Sequence, residues 1–445
     1  IILEILSHQN FADMRYGLDP QFRFDVSRSV YKGMLKFLSS YYGASYVVQP
    51  LPVKGFSARI DGGAARLSWS PVEDPAEPTA KPASYIVYTR SGDGGWDEGR
   101  SVRDTTFTTA LPAGELLSFK VVACNDGGIS FPSEVLCVGR PAGEEKGKVL
   151  IVNNFTRVSG PAFFDTPLYA GFDDALDGGV PWGTEISFIG EDYEHRRDNV
   201  YSGNNAPGFG GSDYWFAGRS YEGNSFDYPS IHGKALLKLG YSFESCSCGA
   251  FVSRDFDAGV IDLICGKQVS TITGTGEKGI RFQVFPEGLR KALAKASGNG
   301  TSLIVSGADI ATEGWDSVYR LPEDEATSDY RKEVREFNRN VLGIKWISSR
   351  ASRDGVVLPM AGGSPLEFWN SRNGSCYCVE NPDGIPPNDN QGRVIYKYRS
   401  SNVGAGVYFR GKGYRTACFG FPIETLKNGE DVERVLSGAL EFFGE

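Results

Sequence analysis

Residues 148–155 read KVLIVNNF, a run of apolar residues that ends in two asparagines. Runs of the same kind are EISFIG (185–190), AGVIDLICG (258–266), TSLIVSG (301–307) and YRTACFGF (414–421). Helical patterns lie between them, at 229–240, 285–298 and 428–444. Near-continuous apolar strands that alternate with helices predict a mostly parallel sheet covered on both faces. We therefore expect a doubly wound α/β domain over 147–445, with an aromatic-rich insert at 196–228.

Composition narrows the classes of protein to consider. The chain has 445 residues and a net charge of −9, which argues against nucleic acid as a partner. No apolar run reaches the roughly 20 residues that a membrane helix needs, so no membrane span is expected. Two of the cysteine pairs, Cys246/Cys248 and Cys376/Cys378, have Cys-x-Cys spacing, which fits structural thiols or disulfide partners better than a zinc site.

A second segment, 50–141, predicts a β-sandwich. Short alternating strands at 65–72, 84–90, 105–111 and 117–125 are separated by turns rich in Gly, Pro and Asp. The stretch LPAGELLSFKVVACNDGGISFPSE (111–134) resembles the fibronectin type III family, and Trp69 stands at the position of that family's core tryptophan. Leu117 replaces the family's corner tyrosine. The resemblance implies a module that spaces domains or binds, without chemistry of its own.

The first segment, 1–49, begins with IILEIL, which predicts a buried strand interrupted by Glu4. Asp19 as N-cap, Pro20 at the first position and Gly43 as a stop predict an amphipathic helix that ends at Tyr42. A strand and one helix cannot bury the apolar stripe of this helix. We therefore expect the segment to be the tail of a larger α/β domain or to pack on a neighbour.

The stretch LEILSHQNFADM (3–14) resembles the end of the zinc-dependent N-acetylmuramoyl-L-alanine amidase domain. Leu3, Glu4 and Asn10 match that family's pattern, while Gln9 replaces its serine. The resemblance implies that Glu4 is the catalytic glutamate, a general base on zinc-bound water. The family's zinc ligands would lie upstream of residue 1, so no cofactor or metal ligand is expected in this chain. A buried glutamate held by backbone amides is the alternative reading of Glu4.

The third segment resembles the class I glutamine amidotransferase-like fold, a relative of flavodoxin. The resemblance rests on the strand SLIVSG with Ser306 at its end, and on the closing FGFPIET with its final helix. Active members carry a cysteine at the elbow and a later histidine. Here the three histidines are His8, His195 and His232, and none follows Ser306. Cys265 has no obvious base either, so we expect a non-catalytic site.

The insert concentrates aromatic residues among Asn, Gly and Asp. Tyr214, Trp215 and Tyr221, together with Ser306, are the candidate ligand-binding residues, since ring faces beside amides and carboxylates suit sugars. Aromatic rings that simply pack the loop onto the sheet are the alternative. His195, in EDYEHRRDN (191–199), could be a metal ligand, although a salt-bridged turn is favoured.

These resemblances together predict a periplasmic or secreted cell-envelope protein whose partner is peptidoglycan or another glycan. The chain would be an inactive fragment of a hydrolase, with zinc belonging to the parent amidase domain. Envelope proteins of this layout are also labelled xanthan lyases, so a polysaccharide-acting enzyme is the first alternative. A non-catalytic glycan-binding module is the second.

Overall fold

The computed structural model describes residues 2–7, 10–185, 193–196, 211–212, 220–272, 280–316 and 324–445. It confirms a chain of mixed α and β structure, with one large sheet and helices packed against it. The helices are α1 (Phe11–Gly17), α2 (Pro20–Tyr42), α3 (Asp174–Asp177), α4 (Pro229–Lys238), α5 (Cys248–Ser253), α6 (Glu287–Gly298), α7 (Thr312–Trp315), α8 (Glu325–Phe337) and α9 (Gly429–Gly444).

The strands are named in chain order. They are β1 (Lys54–Asp61), β2 (Ala64–Ser70), β3 (Ser84–Ser91), β4 (Arg100–Val102), β5 (Thr106–Ala110), β6 (Leu116–Asn125), β7 (Gly128–Ile129), β8 (Leu136–Gly139), β9 (Lys148–Asn153), β10 (Phe163–Asp165), β11 (Tyr169–Phe172), β12 (Thr184–Glu185), β13 (Tyr193–Arg196), β14 (Gly211–Ser212), β15 (Tyr221–Glu222), β16 (Ser242–Ser247), β17 (Val260–Gly266), β18 (Thr271–Ile272), β19 (Ile280–Arg281), β20 (Ser302–Gly307), β21 (Val356–Pro359), β22 (Leu366–Glu367), β23 (Gly392–Tyr398), β24 (Gly404–Arg410) and β25 (Arg415–Phe419).

The predicted strand at the start of the chain is wrong for the residues that can be described. Residues 2–7 form no regular secondary structure, and Ile2 and Leu3 are 88% and 60% exposed. The apolar run that suggested a strand forms none because no neighbouring strand pairs with these described residues. The EISFIG run enters β12 at Thr184–Glu185, and the rest of it lies outside the described residues.

The predicted helix is confirmed, with its ends where the sequence placed them. The Asp19 carboxylate accepts from the backbone N–H of Gln21, Pro20 is the first residue of α2, and Gly43 stops it at φ 64°. The helix buries none of its residues, and Phe37 is 63% exposed. It contacts the sandwich segment through polar and aromatic groups: Arg28 donates two hydrogen bonds to Asp74 through Nε and Nη2, and the centroid of the Phe24 ring lies 5.6 Å from that of Phe131.

The second segment forms two sheets that share one core. In one sheet β2 pairs with β1 and β5, and in the other β6 pairs with β3, β7 and β8 while β3 also pairs with β4. Trp69 lies between the sheets, with its ring centroid 5.4 Å from that of Tyr85 and 6.5 Å from that of Phe56. Leu117, at the position expected for a tyrosine, is buried in the same core.

Five parallel strands form the centre of the third segment, in the order β16-β9-β17-β20-β25. β24 continues the sheet antiparallel to β25, and β23 and β21 follow it. Alternate residues of the parallel strands enter two apolar cores. One core includes residues of α4 and α9, and the other includes residues of α5, α6 and α8, so helices cover both faces.

The sandwich is joined to the parallel sheet along β16. β1 pairs with β16 through Ser57 and Ala58, and β8 pairs with it through Gly139. The Ser245 hydroxyl accepts from the amide of Cys137 at 2.8 Å and donates to its carbonyl at 2.7 Å. The two parts therefore share backbone hydrogen bonds and do not merely touch.

Two further sequence predictions concern the cysteines and membrane-spanning helices. Every one of the eight cysteines is a free thiol in the structure, so the Cys-x-Cys pairs form no disulfide. Among the helices of the described residues, not one combines the length and the apolar composition that crossing a membrane requires.

Candidate functional site

The carboxyl ends of β9, β17 and β20 meet at one edge of the parallel sheet. Sites of open α/β sheets lie outside this edge because the loops that follow the strands converge there. Lys267 follows β17 directly, Asp309 follows β20 by two residues, and Arg157 follows β9 by four. Asp177, the last residue of α3, and Glu380, from the loop between β22 and β23, complete the group.

Two cations face two carboxylates here, away from solvent. The Lys267 ammonium lies 3.0 Å from Asp177 and 2.6 Å from Glu380, and Arg157 donates a hydrogen bond to Asp177. Burial disfavours the Asp177 anion, yet Arg157 and Lys267 lower its pKa to about 2. Burial also opposes the charge of Lys267, but the Asp177 and Glu380 carboxylates outweigh it and raise the pKa of the ammonium. Asp177 and Lys267 are therefore both charged near neutral pH.

Asp309 lies in the same cavity, and burial is the largest influence on the pKa of its carboxyl group. Burial, and after it the negative charge of Asp383, raises the pKa of Asp309 well above its usual value. Asp383 accepts hydrogen bonds from the amides of Ala311 and Thr312 and from the Thr312 hydroxyl. Burial raises the pKa of Asp383 to about 7 even though these donors oppose the shift. Both carboxyl groups therefore bind a proton more readily than exposed aspartates do, and hydrogen bonds hold Asp383 in place.

The space between these groups is small. We call it the carboxyl-edge cavity; it is lined by Arg157, Leu176, Asp177, Lys267, Ala308, Asp309, Val379, Glu380 and Asn381. Its volume is about 10 Å³, enough for roughly one water molecule. A ligand group that enters must therefore displace a loop side chain. Asn381, which donates hydrogen bonds to the carbonyls of Ala175 and Leu176, lies in the loop that closes the cavity.

The predicted ligand-binding residue Ser306 is not in this cavity. It is fully buried, and it pairs across the sheet with Ile264 and Phe419. It lies two residues after Ile304, so its side chain is on the face of the sheet that packs under α4 and α9. The strand that carries Ser306 leads to the edge at which this cavity lies, but Asp309 and not Ser306 lines the cavity.

Cys265 is no better placed as a nucleophile. Burial raises the pKa of its thiol far above the usual value, and its sulfur accepts a hydrogen bond from the Asn154 side chain at 3.7 Å. A thiol held neutral in an apolar core is unreactive.

The aromatic insert is described only in part. Tyr214 and Trp215 lie outside the described residues, and only the backbone of His195 is described, in β13. Tyr221 is 3% exposed, and its hydroxyl donates to the carbonyl of Gly179 at 3.4 Å. The Arg372 guanidinium lies 5.2 Å from its ring centroid. Tyr221 therefore packs the loop onto the sheet, and its prediction as a surface for sugars is wrong.

Glu4 is exposed and lies in an irregular segment, not in a buried strand. The described residues include no group of three or more His, Cys, Asp or Glu side chains that could hold a metal ion.

A second buried polar group lies between α4 and β17. His232 Nδ1 is 2.7 Å from an Asp262 carboxylate oxygen, and its Nε2 is 3.5 Å from Glu424, whose other oxygen accepts from the Tyr377 hydroxyl at 2.7 Å. The side chains of His232, Asp262 and Glu424 are completely buried. Burial disfavours the imidazolium, but Asp262 and Glu424 raise the pKa of His232 to about 10. These three side chains have no surface exposed to solvent, and they join α4, β17 and the segment that precedes α9.

Sequence reasoning missed every member of the carboxyl-edge cavity. Lys267 and Asp309 were within its reach, since both follow apolar runs that were recognised as strands. Asp177 and Glu380 carried no such signal. They are 203 positions apart in the chain, and only the fold brings them to one ammonium.

Comparisons with known proteins leave the chain without a family. No family model matches it, and no curated protein does. Solved structures match about a fifth of the chain. A titin fragment matches at 27% identity over 20% of this chain and 30% of that chain, with a TM-score of 0.17. A human FNIII domain matches at 25% identity over 22% and 87%, with a TM-score of 0.19. The third and fourth domains of rat CD45 match at 19% identity over 20% and 49%, with a TM-score of 0.18.

Proposed function

We propose that this chain belongs to a cell-envelope protein that binds peptidoglycan or another glycan through its α/β segment. The segment would be a doubly wound domain of the amidotransferase-like, flavodoxin-like type. The strand order β16-β9-β17-β20-β25 supports this, because it is the order 2-1-3-4-5 of flavodoxin-like sheets. The fibronectin type III-like sandwich would be its spacer.

One observation carries the binding role. The edge at which such domains hold ligands presents charged and carboxyl groups around a cavity, and neither Ser306 nor Cys265 faces it as an activated nucleophile. Its two cations are matched by Asp177 and Glu380, and burial raises the pKa of Asp309 well above its usual value. A cavity without excess positive charge suits the hydroxyls of a neutral sugar, which donate to carboxylates and accept from Lys267.

The same proposal makes the chain a fragment of a zinc-dependent N-acetylmuramoyl-L-alanine amidase, inactive by itself. The support is the match of residues 3–14 and of α2 to the end of that domain. The chain, incubated with zinc and purified peptidoglycan, should release no stem peptide. Zinc-dependent release would contradict this part of the proposal.

Binding is tested by pelleting the purified chain with insoluble sacculi. We expect the wild type to sediment and Asp309→Ala to bind about tenfold more weakly, since this substitution removes a well-placed hydrogen-bonding group from a dry site. Asp329→Ala, an exposed change on α8, is the matched control and should bind like the wild type. If the wild type stays in the supernatant, the proposal fails. If Asp309→Ala binds normally, the ligand is not at the carboxyl edge.

A polysaccharide-acting enzyme of the xanthan lyase type is a second candidate, favoured by the Asp309–Asp383 pair. Neighbouring carboxyl groups whose environments separate their protonation states are suited to acid and base roles. Absorbance of unsaturated uronate, measured on a panel of acidic glycans, tests this reading. Asp309→Asn should abolish any such activity. No absorbance change with the wild type removes the candidate.

A further inference from the structure

A second and larger cavity lies at the opposite edge of the parallel sheet. We call it the amino-edge groove, since most of its walls are residues that precede or begin β9, β16, β17, β20 and β25, while the end of β24 and the last turns of α9 complete it. Its volume is about 820 Å³, within the range of roughly 300–1,000 Å³ that is typical of ligand sites. None of the groups of the carboxyl-edge cavity lines it.

The charge of the groove is opposite to that of the chain as a whole. Its walls carry four cations, Lys146, Lys148, Arg410 and Arg415, and a single acid, Asp257. Lys148 lies 3.6 Å from Glu244, and Arg410 pairs with Glu445, so those two are partly neutralised. Within the described part of the chain, no carboxylate lies within 4 Å of Lys146 or Arg415.

The backbone fixes one of these two cations and places the other. The Lys146 amide donates to the carbonyl of Gly240 at 2.9 Å, and its side chain passes over that glycine. Arg415 donates through Nη1 to the carbonyl of Phe443, near the end of α9, at 2.5 Å. The Arg415 guanidinium therefore loses little further freedom when a ligand binds, which favours affinity.

The groove also offers aromatic surface. Tyr241 and Tyr414 are half-buried in its walls. Tyr414 is fixed because its hydroxyl donates to the carbonyl of Val341 at 3.0 Å. Ring faces beside fixed cations match a ligand that has both C–H faces and carboxylates.

We propose that the amino-edge groove binds an acidic oligosaccharide, a chain of sugar rings that carry carboxylates. The carboxylates pair with Lys146 and Arg415, and the ring faces pack on Tyr241 and Tyr414. The inference rests on the proposed glycan-binding role but places a separate, charge-selective site at the other edge of the sheet. The chain's net charge of −9 makes a local cationic groove necessary for such a ligand to approach.

The test uses isothermal titration of the full chain with an oligogalacturonate and with a neutral cello-oligosaccharide of equal length. We expect the wild type to bind the acidic oligomer, with affinity that falls as salt rises, and to bind the neutral oligomer at least tenfold more weakly. Lys146→Glu should weaken binding of the acidic oligomer by about tenfold or more. Lys332→Glu, an exposed change of equal charge on α8, should leave it unchanged.

Three results would overturn the inference: no heat with oligogalacturonate, equal affinity for the neutral oligomer, or equal effects of Lys146→Glu and Lys332→Glu. Circular dichroism of each variant separates a lost site from a lost fold. If the wild type sediments with sacculi but does not bind oligogalacturonate, the proposed function stands and the groove is not a glycan site. If the wild type binds oligogalacturonate but does not sediment, the groove is a binding site and the proposed function fails.

Discussion

His232 shows what a single buried residue can hold together. Its ring lies between Asp262 of β17 and Glu424, which precedes the last helix, while His232 itself belongs to α4. Two carboxylates with no exposed surface need a cation between them, since an unpaired buried charge is strongly destabilising. The imidazolium meets that need.

Replacement of this cation should be costly. We expect His232→Gln to lower the free energy of unfolding by about 3 kcal/mol, because Asp262 and Glu424 are left without a positive partner. Urea unfolding followed by fluorescence measures it. Lys238→Gln, which breaks an exposed pair with Glu433, is the control and should change stability little. Equal effects of the two changes would mean that His232 is not charged in the folded protein.

The same residue sets a pH dependence with a definite sign. Its folded pKa of about 10 lies above the ordinary value of 6.5. The stabilisation is therefore complete below about pH 6.5 and declines as pH rises through 10, where the folded protein also loses the proton. The stability gap between wild type and His232→Gln, measured from pH 6 to 10, should narrow as pH rises. A constant gap would refute the assignment.

Helix α2 illustrates a distinction between forming an element and anchoring it. Its caps are local, so Asp19, Pro20 and Gly43 were enough to predict its ends. Its anchoring depends on distant partners: Arg28 and Lys32 reach Asp74, and Lys36 reaches Glu77. These ion pairs, together with the contact between the Phe24 and Phe131 rings, hold α2 to the sandwich.

Loss of this anchor should free the helix. We expect Arg28→Ala to increase the rate of tryptic cleavage within residues 20–43, and 1 M salt to do the same to the wild type, since salt screens partly exposed ion pairs. Limited proteolysis with mass spectrometry measures the cleavage sites. Lys295→Ala, which removes an exposed pair with Asp255, should leave the pattern unchanged. Unchanged cleavage in Arg28→Ala would show that other contacts anchor α2.

At the scale of the whole molecule, the decisive contact is the shared strand β16. Composition and spacing predicted both the sandwich and the strand–helix alternation, because each depends on patterns within a few residues. They could not predict the junction, since Ser245 and Cys137 meet only after both parts have folded. The carboxyl-edge cavity escaped prediction for the same reason: its ion pairs join Asp177, Lys267 and Glu380 from separate loops.

This junction predicts cooperative unfolding. Calorimetry of the wild type should show the sandwich and the α/β segment melting in one transition. Ser245→Val removes both hydrogen bonds to Cys137 and leaves two buried backbone groups unpaired, so we expect a loss of about 2 kcal/mol and a broadened or split transition. Ser437→Val, an exposed change on α9, is the control. Two separate transitions in the wild type would contradict the prediction.

The pairing of β16 with β1 and β8 also affects the tendency of the protein to aggregate. Without the sandwich, β16 would present unpaired N–H and C=O groups at the rim of a sheet, a template on which other chains can assemble. The sandwich occupies that template within the same polypeptide. The sandwich thus protects the α/β segment from self-assembly. An expression fragment cut between residues 139 and 148 would expose the unpaired backbone edge of β16 and would be prone to aggregate.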